Sequence, residues 1–560
     1  MLRAAPWLMI SLLTIPVLAG LSAIVLPAFA YLPALQYHEP GLMVWRELWG
    51  TPGIGRSALL SLSAGLLAPL LSLLLVMLFL ASTSGTRWAA VMRKLVAPLL
   101  AVPHAAAAFG LAFLIAPSGF ALRLISPELT GWQRPPDLLI LNDALGLSMM
   151  LGLVLKEIPF LLLMALAALP QLNADQRVTM ARSLGYRPIL GWLWTVAPAL
   201  YPLLRLPLFA VIAFASATVD VALILGPTLP PTLSVRIIGW FSDPDLNQRL
   251  LASAAALLQL MITLFAIAVW IVAENIVARL YRAMLLSGNR RHGHAVLNVL
   301  GKSLMVMTLG TLLISLLLLF IQAFAGTWRF PDNLPAAWTL RHWQSVGPLL
   351  LAPLGNTLLL GLLSTAFAVL LVVAVLEHER RQGRAPAQIL WAIYIPLLVP
   401  QVAFLYGLTL LLEQLRWQPG LLMVGLAHSL FVVPYVYLSL AEPYRRLDPR
   451  WQQLAATLGA SPNRTWWCIK LPLLLAPLAT AFAVGLAVSI GQYLATLLTG
   501  AGRVTTLTTE AIALASGGTR ATIAVWALLQ AAVPMLGFAM AIMLPRLWWR
   551  KRRDMTGQLT

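Results

Sequence analysis

Along most of this chain the apolar positions do not alternate with polar ones; they run on without charge for about 20 residues or more at a time. A run of that length crosses a hydrocarbon core roughly 30 Å thick as a helix. Inside lipid each backbone polar group must find its partner within its own segment, so such runs are helical. No ten-residue alternation suggests a β-barrel. Runs near residues 7–33, 56–81, 95–116, 138–168, 199–225, 250–276, 301–325, 349–376, 389–412, 420–441, 473–498 and 521–545 predict twelve spans and an all-α, polytopic membrane protein. The runs 138–168 and 349–376 are expected to include a re-entrant or interfacial piece. The first run follows Arg3 and ends near Ala28-Phe29-Ala30, as a signal peptide does. It is about twice the usual apolar length of ~7–15 residues, and is read as a retained first helix.

Composition agrees with the pattern. The chain is 60% hydrophobic and 10% charged, against about 25% charged for soluble domains, and its mean hydropathy is +0.85. The net charge of +19 raises the question of nucleic acid, but no soluble basic domain exists to carry that function. The charge instead reports topology. One set of loops and ends holds 25 of the 38 Lys and Arg, among them Arg87, Arg93, Lys94, Arg384 and the terminal Arg550-Lys551-Arg552-Arg553; the opposite set holds about 11. By the positive-inside rule the richer set is cytoplasmic, together with both termini. A single cysteine, Cys468, excludes an intrachain disulfide and a Cys-based metal cage. No cofactor or metal site is expected.

A repeat organises the spans. Ala181-Arg182-Ser183-Leu184-Gly185 matches Ala455-Ala456-Thr457-Leu458-Gly459 at an offset of 274, and on that register Pro188, Trp192 and Pro198 match Pro462, Trp466 and Pro472. A second block, with Pro98-Leu99-Leu100 resembling Pro396-Leu397-Leu398, puts Pro103 and Gly110 opposite Pro400 and Gly407 at offset 297. The change of offset implies about 23 extra residues in the first copy, which fit the polar stretch 117–137. Six spans per copy give both copies the same orientation, a parallel duplication. The expected division is residues 1–285, a linker at 286–300 containing Gly288-Asn289-Arg290-Arg291-His292-Gly293-His294, and residues 301–560. The repeated loops, 170–198 and 443–472, fall between spans four and five and between spans ten and eleven.

The second loop reads Gln453-Leu454-Ala455-Ala456-Thr457-Leu458-Gly459, nine residues, then Ile469-Lys470-Leu471-Pro472, preceded by Leu447-Asp448-Pro449. Physically this describes a short helix, with Asp448 where a cap begins it and Gly459 tolerating the left-handed geometry that ends it. Ala455 and Gly459, four apart, share one face and are expected to seat it in a partner's groove. The spacing resembles the Glu-Ala-Ala coupling loop of ATP-binding-cassette (ABC) importer permeases, closest to fused two-half permeases of the ferric-iron and thiamine type. The match includes Ala455, Gly459, Ile469, Leu471 and Pro472; in the first loop it keeps Ala181, Gly185 and Pro198 and departs at Thr179, Met180, Thr195 and Ala197. The family's glutamate is replaced by Thr179 and Gln453. The resemblance implies two copies of a separate ATPase docking on the two loops, and a periplasmic binding protein delivering a small polar solute, a metal chelate or a vitamin-like compound. Gly301-Lys302-Ser303 has the end of a phosphate loop but Val296 where its first glycine belongs, so ATP hydrolysis is expected in another chain.

Ionisable groups inside spans are costly and functional by default. They are Lys156, Glu157, Arg205, Asp220 and Glu274. Lys156 and Glu157 are neighbours in sequence and do not face each other on a helix; a pair between Asp220 and Lys156 is expected, and whether these groups are structural or line a path stays open. Spans five and eleven follow the two loops, and Thr218, Asp220, Gln492 and Tyr493 are the candidates for a translocation path. His104 and His428 are read as histidines satisfied at helix interfaces. The alternative is a twelve-span secondary transporter, whose Gly-x-x-x-Asp-Arg-x-Gly loop the segment 82–94 lacks. A membrane-embedded enzyme would need clustered His, Asp or Glu at one membrane face, and none is visible. The reading is therefore an importer permease of the bacterial inner membrane.

Overall fold

The computed structural model describes residues 2–84, 86, 99, 101–286, 294–383 and 387–548. The expectations placed on Arg87, Arg93, Lys94, Pro98, Leu100, residues 287–293 of the linker, Arg384 and the terminal Arg550-Lys551-Arg552-Arg553 lie outside the described residues. So does most of the segment 82–94.

Helices in the first copy are α1 (Ala5–Ala28), α2 (Met43–Gly50), α3 (Ile54–Thr83), α4 (His104–Ile115), α5 (Phe120–Ile125), α6 (Leu147–Ala168), α7 (Ala174–Ser183), α8 (Pro188–Thr195), α9 (Ala197–Ala217), α10 (Asp220–Leu225), α11 (Leu233–Phe241) and α12 (Gln248–Leu286). The second has α13 (His294–Phe324), α14 (Arg341–Gln382), α15 (Ala387–Leu398), α16 (Gln401–Gln414), α17 (Leu421–Arg445), α18 (Arg450–Thr457), α19 (Pro462–Thr465), α20 (Leu471–Ile490), α21 (Tyr493–Gly500), α22 (Leu507–Ala513) and α23 (Arg520–Trp548). Among the described residues, eleven helices are long and apolar enough to cross a membrane, and the count is twelve if the pair Gln388–Leu398 and Gln401–Gln414, bent by 91°, is one span. Gly301-Lys302-Ser303 lies within α13, inside a continuous helix and not in a phosphate loop.

The bend falls where the sequence reading did not put it. The run 349–376 belongs to the single 42-residue helix α14, and 138–146 is a loop before α6. The sharp bend is instead in the ninth run, at Val399-Pro400. Pro400 has no N–H for the helix ladder and pushes the residue before it out of helical geometry.

The two copies exchange their first spans. Helix α1 packs on α16, α15 and α14 of the second copy, while α13 packs on α4 and α3 of the first. Both exchanges rest on close helix crossings. A Cβ at Gly407 would lie 1.9 Å from the Gly20 carbonyl oxygen, and one at Gly110 would lie 2.5 Å from the Ser315 carbonyl oxygen. The match of Gly110 with Gly407 in the repeat thus marks two equivalent places where only a hydrogen fits, as at small-residue crossings of membrane helices.

The extra outer stretch folds onto the other copy. Arg123, buried on α5, donates to the carbonyls of Arg329 at 2.6 Å and Asp332 at 2.9 Å, with its guanidinium 4.9 Å from the Trp328 ring centre. At the same end of the bundle, Asp143 accepts from the Leu147 and Ser148 amides at 2.8 and 2.9 Å and so caps the start of α6. Partial burial opposes its charge, but the amide and hydroxyl donors prevail and hold its carboxyl below the usual carboxylate range.

Candidate functional site

A cavity of 610 Å3 lies between the two copies. Pro170, Glu442 and Arg446 line it at the end where α6 and α17 run into the repeated loops, and Thr218, Asp220, Gln492 and Tyr493 line its deep end. Glu442 and Arg446 pair with each other at 2.8 Å. Beyond the deep end the chain is packed: Val221, Ala222, Leu225, Ala495 and Leu498 are buried.

Two helix breaks form that deep end. Helix α9 stops at Ala217, with Thr218 extended, and α10 restarts at Asp220. Helix α20 stops at Ile490 and α21 restarts at Tyr493. Thr218 and Gln492 are equivalent at the 274-residue offset. The continuous spans expected over 199–225 and 473–498 are therefore each two helices, with all four path candidates at the joints. The second joint is tied further by His428, whose ring nitrogens lie 2.8 Å from the Ser489 hydroxyl before the break and 2.9 Å from the Thr496 hydroxyl after it. His428 is a satisfied interface histidine, as expected. His104 is not only that: it lines the cavity, 3.6 Å from Glu157 and against Phe214.

Of the five ionisable groups in spans, Lys156, Glu157 and Asp220 all line the cavity. The expected Asp220–Lys156 pair is not formed. Asp220 accepts from the Thr218 hydroxyl at 2.9 Å, and the Lys156 ammonium donates to the Leu99 carbonyl at 3.5 Å. Arg205 and Glu274 form a pair of their own at 2.9 Å, joined by the Tyr201 hydroxyl at 2.5 Å from Glu274. They tie α9 to α12 away from the cavity.

The two repeated loops fold alike. Each is a short helix, α7 or α18, closed by a glycine in the left-handed region: φ is +86° at Gly185 and +74° at Gly459. In the first, the Tyr186 amide donates to the Ala181 carbonyl and the Gly185 amide to Arg182; in the second, Ala460 donates to Ala455 and Gly459 to Ala456. This is the paired bonding that satisfies the last carbonyls of a helix ending in glycine. The Asp448 carboxylate accepts from the Arg450 amide at 2.9 Å, so it supports the helix start from one residue before the capping position, which Pro449 occupies.

The two alanines do not face outward. Ala181 and Ala455 are both buried; a Cβ on Gly191 of α8 would sit 3.0 Å from that of Ala181. Their size serves packing beneath the helix, which corrects the expectation that Ala455 helps fill a partner's groove; Gly459 is exposed, with open space where a Cβ would be. The outward face carries large apolar residues: Met180 is 68% and Leu184 63% exposed, and their equivalents Leu454 and Leu458 are 54% and 79% exposed. Sequence reading passed these over, although apolar pairs repeating on one register within polar loops were the signal. Gln453 is exposed beside them, whereas Ile469, Leu471 and Pro472 are half-buried at the entry to α20, and Pro198 is exposed near the start of α9.

The bases of the loops differ. Lys470, buried, meets both carboxylate oxygens of Glu377 at 3.0 and 2.9 Å, and Glu377 also accepts from Tyr444 at 2.6 Å and Arg381 at 2.9 Å. In the first copy the position of Lys470 is taken by Val196, fully buried. There the Tyr281 hydroxyl donates to the Trp194 carbonyl instead.

No family model matches the chain. It is 30% identical over 546 residues to the inner membrane ABC transporter permease protein YnjC of Escherichia coli, covering 96% of both chains. It is 29% identical over 196 residues to the molybdenum transport system permease protein ModB of Mycobacterium tuberculosis, covering 32% of this chain and 74% of that one. It is also 30% identical over 173 residues to the thiamine transport system permease protein ThiP of Haemophilus influenzae, covering 30% and 31%.

Proposed function

Because the chain belongs to the inner-membrane permeases of ABC importers, we propose that its central cavity is the translocation path, and that the exposed faces of α7 and α18 are where two copies of a separate ATPase dock. The reading is carried by one observation: the cavity runs from the repeated loops to two equivalent helix breaks, so that one structure joins the docking faces to the path. Asp220 and Thr218 on one side and Gln492 and Tyr493 on the other form the wall a solute would meet.

In this account Met180, Leu184, Leu454 and Leu458 supply the apolar contact, and Gly185 and Gly459 hold the ends of the docking helices. Ala181 and Ala455 lock those helices onto the chain beneath, and Pro198, Ile469, Leu471 and Pro472 connect them to spans five and eleven. A push on α7 or α18 is then passed to α9 and α20, whose far ends are the breaks. The loops face the cytoplasm, as do both termini, on the strength of the charge bias. The cavity is then open inward, and a periplasmic binding protein delivers the solute to the opposite face. The solute is small and polar; molybdenum and thiamine, in the names of two relatives, are of that kind. The two copies are residues 1–285 and 301–560, joined by 286–300.

Copurification tests the docking. The tagged chain is expected to retain its ATPase through detergent extraction, and to lose it when Leu184→Asp and Leu458→Asp are introduced together. Retention of the ATPase by folded double-variant protein would refute the assignment of this face.

A further inference from the structure

Both helix breaks are held from outside the cavity by the same parts. A helix that stops leaves its last carbonyls without partners, and in a lipid-embedded bundle an unpaired carbonyl is costly. Ser216, near the end of α9, and Ile490, the end of α20, are equivalent at the 274-residue offset. In the first copy Gln259 of α12 donates from Nε2 to the Ser216 carbonyl at 3.0 Å, and the Ser234 hydroxyl of α11 donates to Gln259 Oε1 at 3.4 Å. In the second copy the Thr508 hydroxyl of α22 donates to the Ile490 carbonyl, and Gln530 of α23 donates to Thr508 Oγ1 at 2.9 Å. Ser234 and Thr508 are equivalent on the same register. All four side chains are buried, and none lines the cavity.

A released carbonyl, a hydroxyl from the short outer helix and a glutamine from the last span thus occur twice, connected in different order. We propose that Gln259 and Gln530, with Ser234 and Thr508, are positioning residues for transport: two clasps that hold the breaks shut above the cavity and release when it opens to the other face. The assignment rests on the cavity being the path. A cap needed only for stability could be supplied by one donor. Here each break is bound to the last span and the outer helix of its copy, the elements against which it has to shift if the deep end is to open. The clasps are unequal. Gln259 grips the carbonyl itself, whereas Gln530 acts through Thr508, and its Oε1 has no partner among the described residues.

The test uses the full chain in sealed membrane vesicles of both orientations. The background is Cys468→Ser with one reporter, Gln492→Cys or Thr218→Cys, and the probe is a charged, membrane-impermeant methanethiosulfonate. Thr508→Val, nearly isosteric and lacking only the hydroxyl, is expected to raise modification at position 492 from the face opposite the repeated loops about tenfold, equivalent to ~1.4 kcal/mol. Thr508→Ser, which keeps the hydroxyl, is expected to behave as the parent. Gln259→Met is expected to do the same for position 218. Unchanged two-sided rates in folded Thr508→Val, with only its melting temperature lowered, would make these residues structural caps and overturn the proposal, whether or not Gln259→Met folds. Parent reporters unreactive from the loop face would instead overturn the path reading, and the clasps with it.

Discussion

The crossing of α1 and α16 makes a quantitative demand. A Cβ added at Gly407 would lie 1.9 Å from the Gly20 carbonyl oxygen and 2.7 Å from Ile24 Cγ2, where ordinary contact begins at 3.4 Å. The shortfall of about 1.5 Å is against backbone, so no side-chain rotation relieves it and the helices must separate. Adding one carbon to a packed site costs about 1–3 kcal/mol, and a rigid neighbour places Gly407→Ala at the upper end. Alanine recovers up to ~1 kcal/mol through helix propensity, which leaves a net loss of about 2 kcal/mol. Gly20→Ala meets the Phe404 carbonyl oxygen at 2.1 Å and should be as harmful; Gly110→Ala, at 2.5 Å from the Ser315 carbonyl oxygen, should be milder. Gly310→Ala, with nothing within 4 Å, should be neutral or slightly stabilising. Thermal unfolding in detergent, followed by the fluorescence of the 20 tryptophans, ranks the four variants. A Gly407→Ala protein that melts at or above the wild-type temperature would refute the crossing.

The other expectations concern charge and docking. Lys470→Met leaves the buried Glu377 carboxylate with only Arg381 and Tyr444 and should cost roughly 1–3 kcal/mol; adding Glu377→Gln should recover part of that loss in the same unfolding assay. Asp143 has its carboxyl pKa depressed by the α6 amides, so its contribution is present above the usual carboxylate range and is lost as pH falls through the lower folded value. Asp143→Ala should therefore lower stability by about 0.5–2 kcal/mol at neutral pH and narrow the difference from wild type in acid. Leu184→Asp and Leu458→Asp should each leave stability within ~0.5 kcal/mol of wild type, as exposed changes do, while weakening ATPase binding in a pull-down.

The spans were legible because an uncharged run of 20 residues has few alternatives to a membrane helix. Pro400 was legible as a repeat of Pro103, but its effect on the chain was assigned to the wrong run. The breaks at Thr218-Val219 and Gly491-Gln492 contain no proline. They are stabilised by partners such as Gln259, Thr508 and His428, between 18 and 68 residues away in sequence, and no local pattern announces them. Gly110 and Gly407 stood out as an identity whose reason, a helix from the other copy, exists only in three dimensions. Helical spacing correctly put Ala455 and Gly459 on one turn, yet spacing cannot say which face points outward; the exposed Leu454 and Leu458 decide that. Arg205 and Glu274 were found as costly groups, but their pairing across 69 positions was beyond reach of the sequence.

The claim that one chain acts as a two-sided permease is tested most directly by native mass spectrometry of the complex with its ATPase. One chain with two ATPase copies is the predicted mass, falling to one copy with Leu458→Asp and to none when Leu184→Asp is added. A wild-type complex holding a single ATPase, or a chain that drives uptake with no ATPase bound, would contradict it.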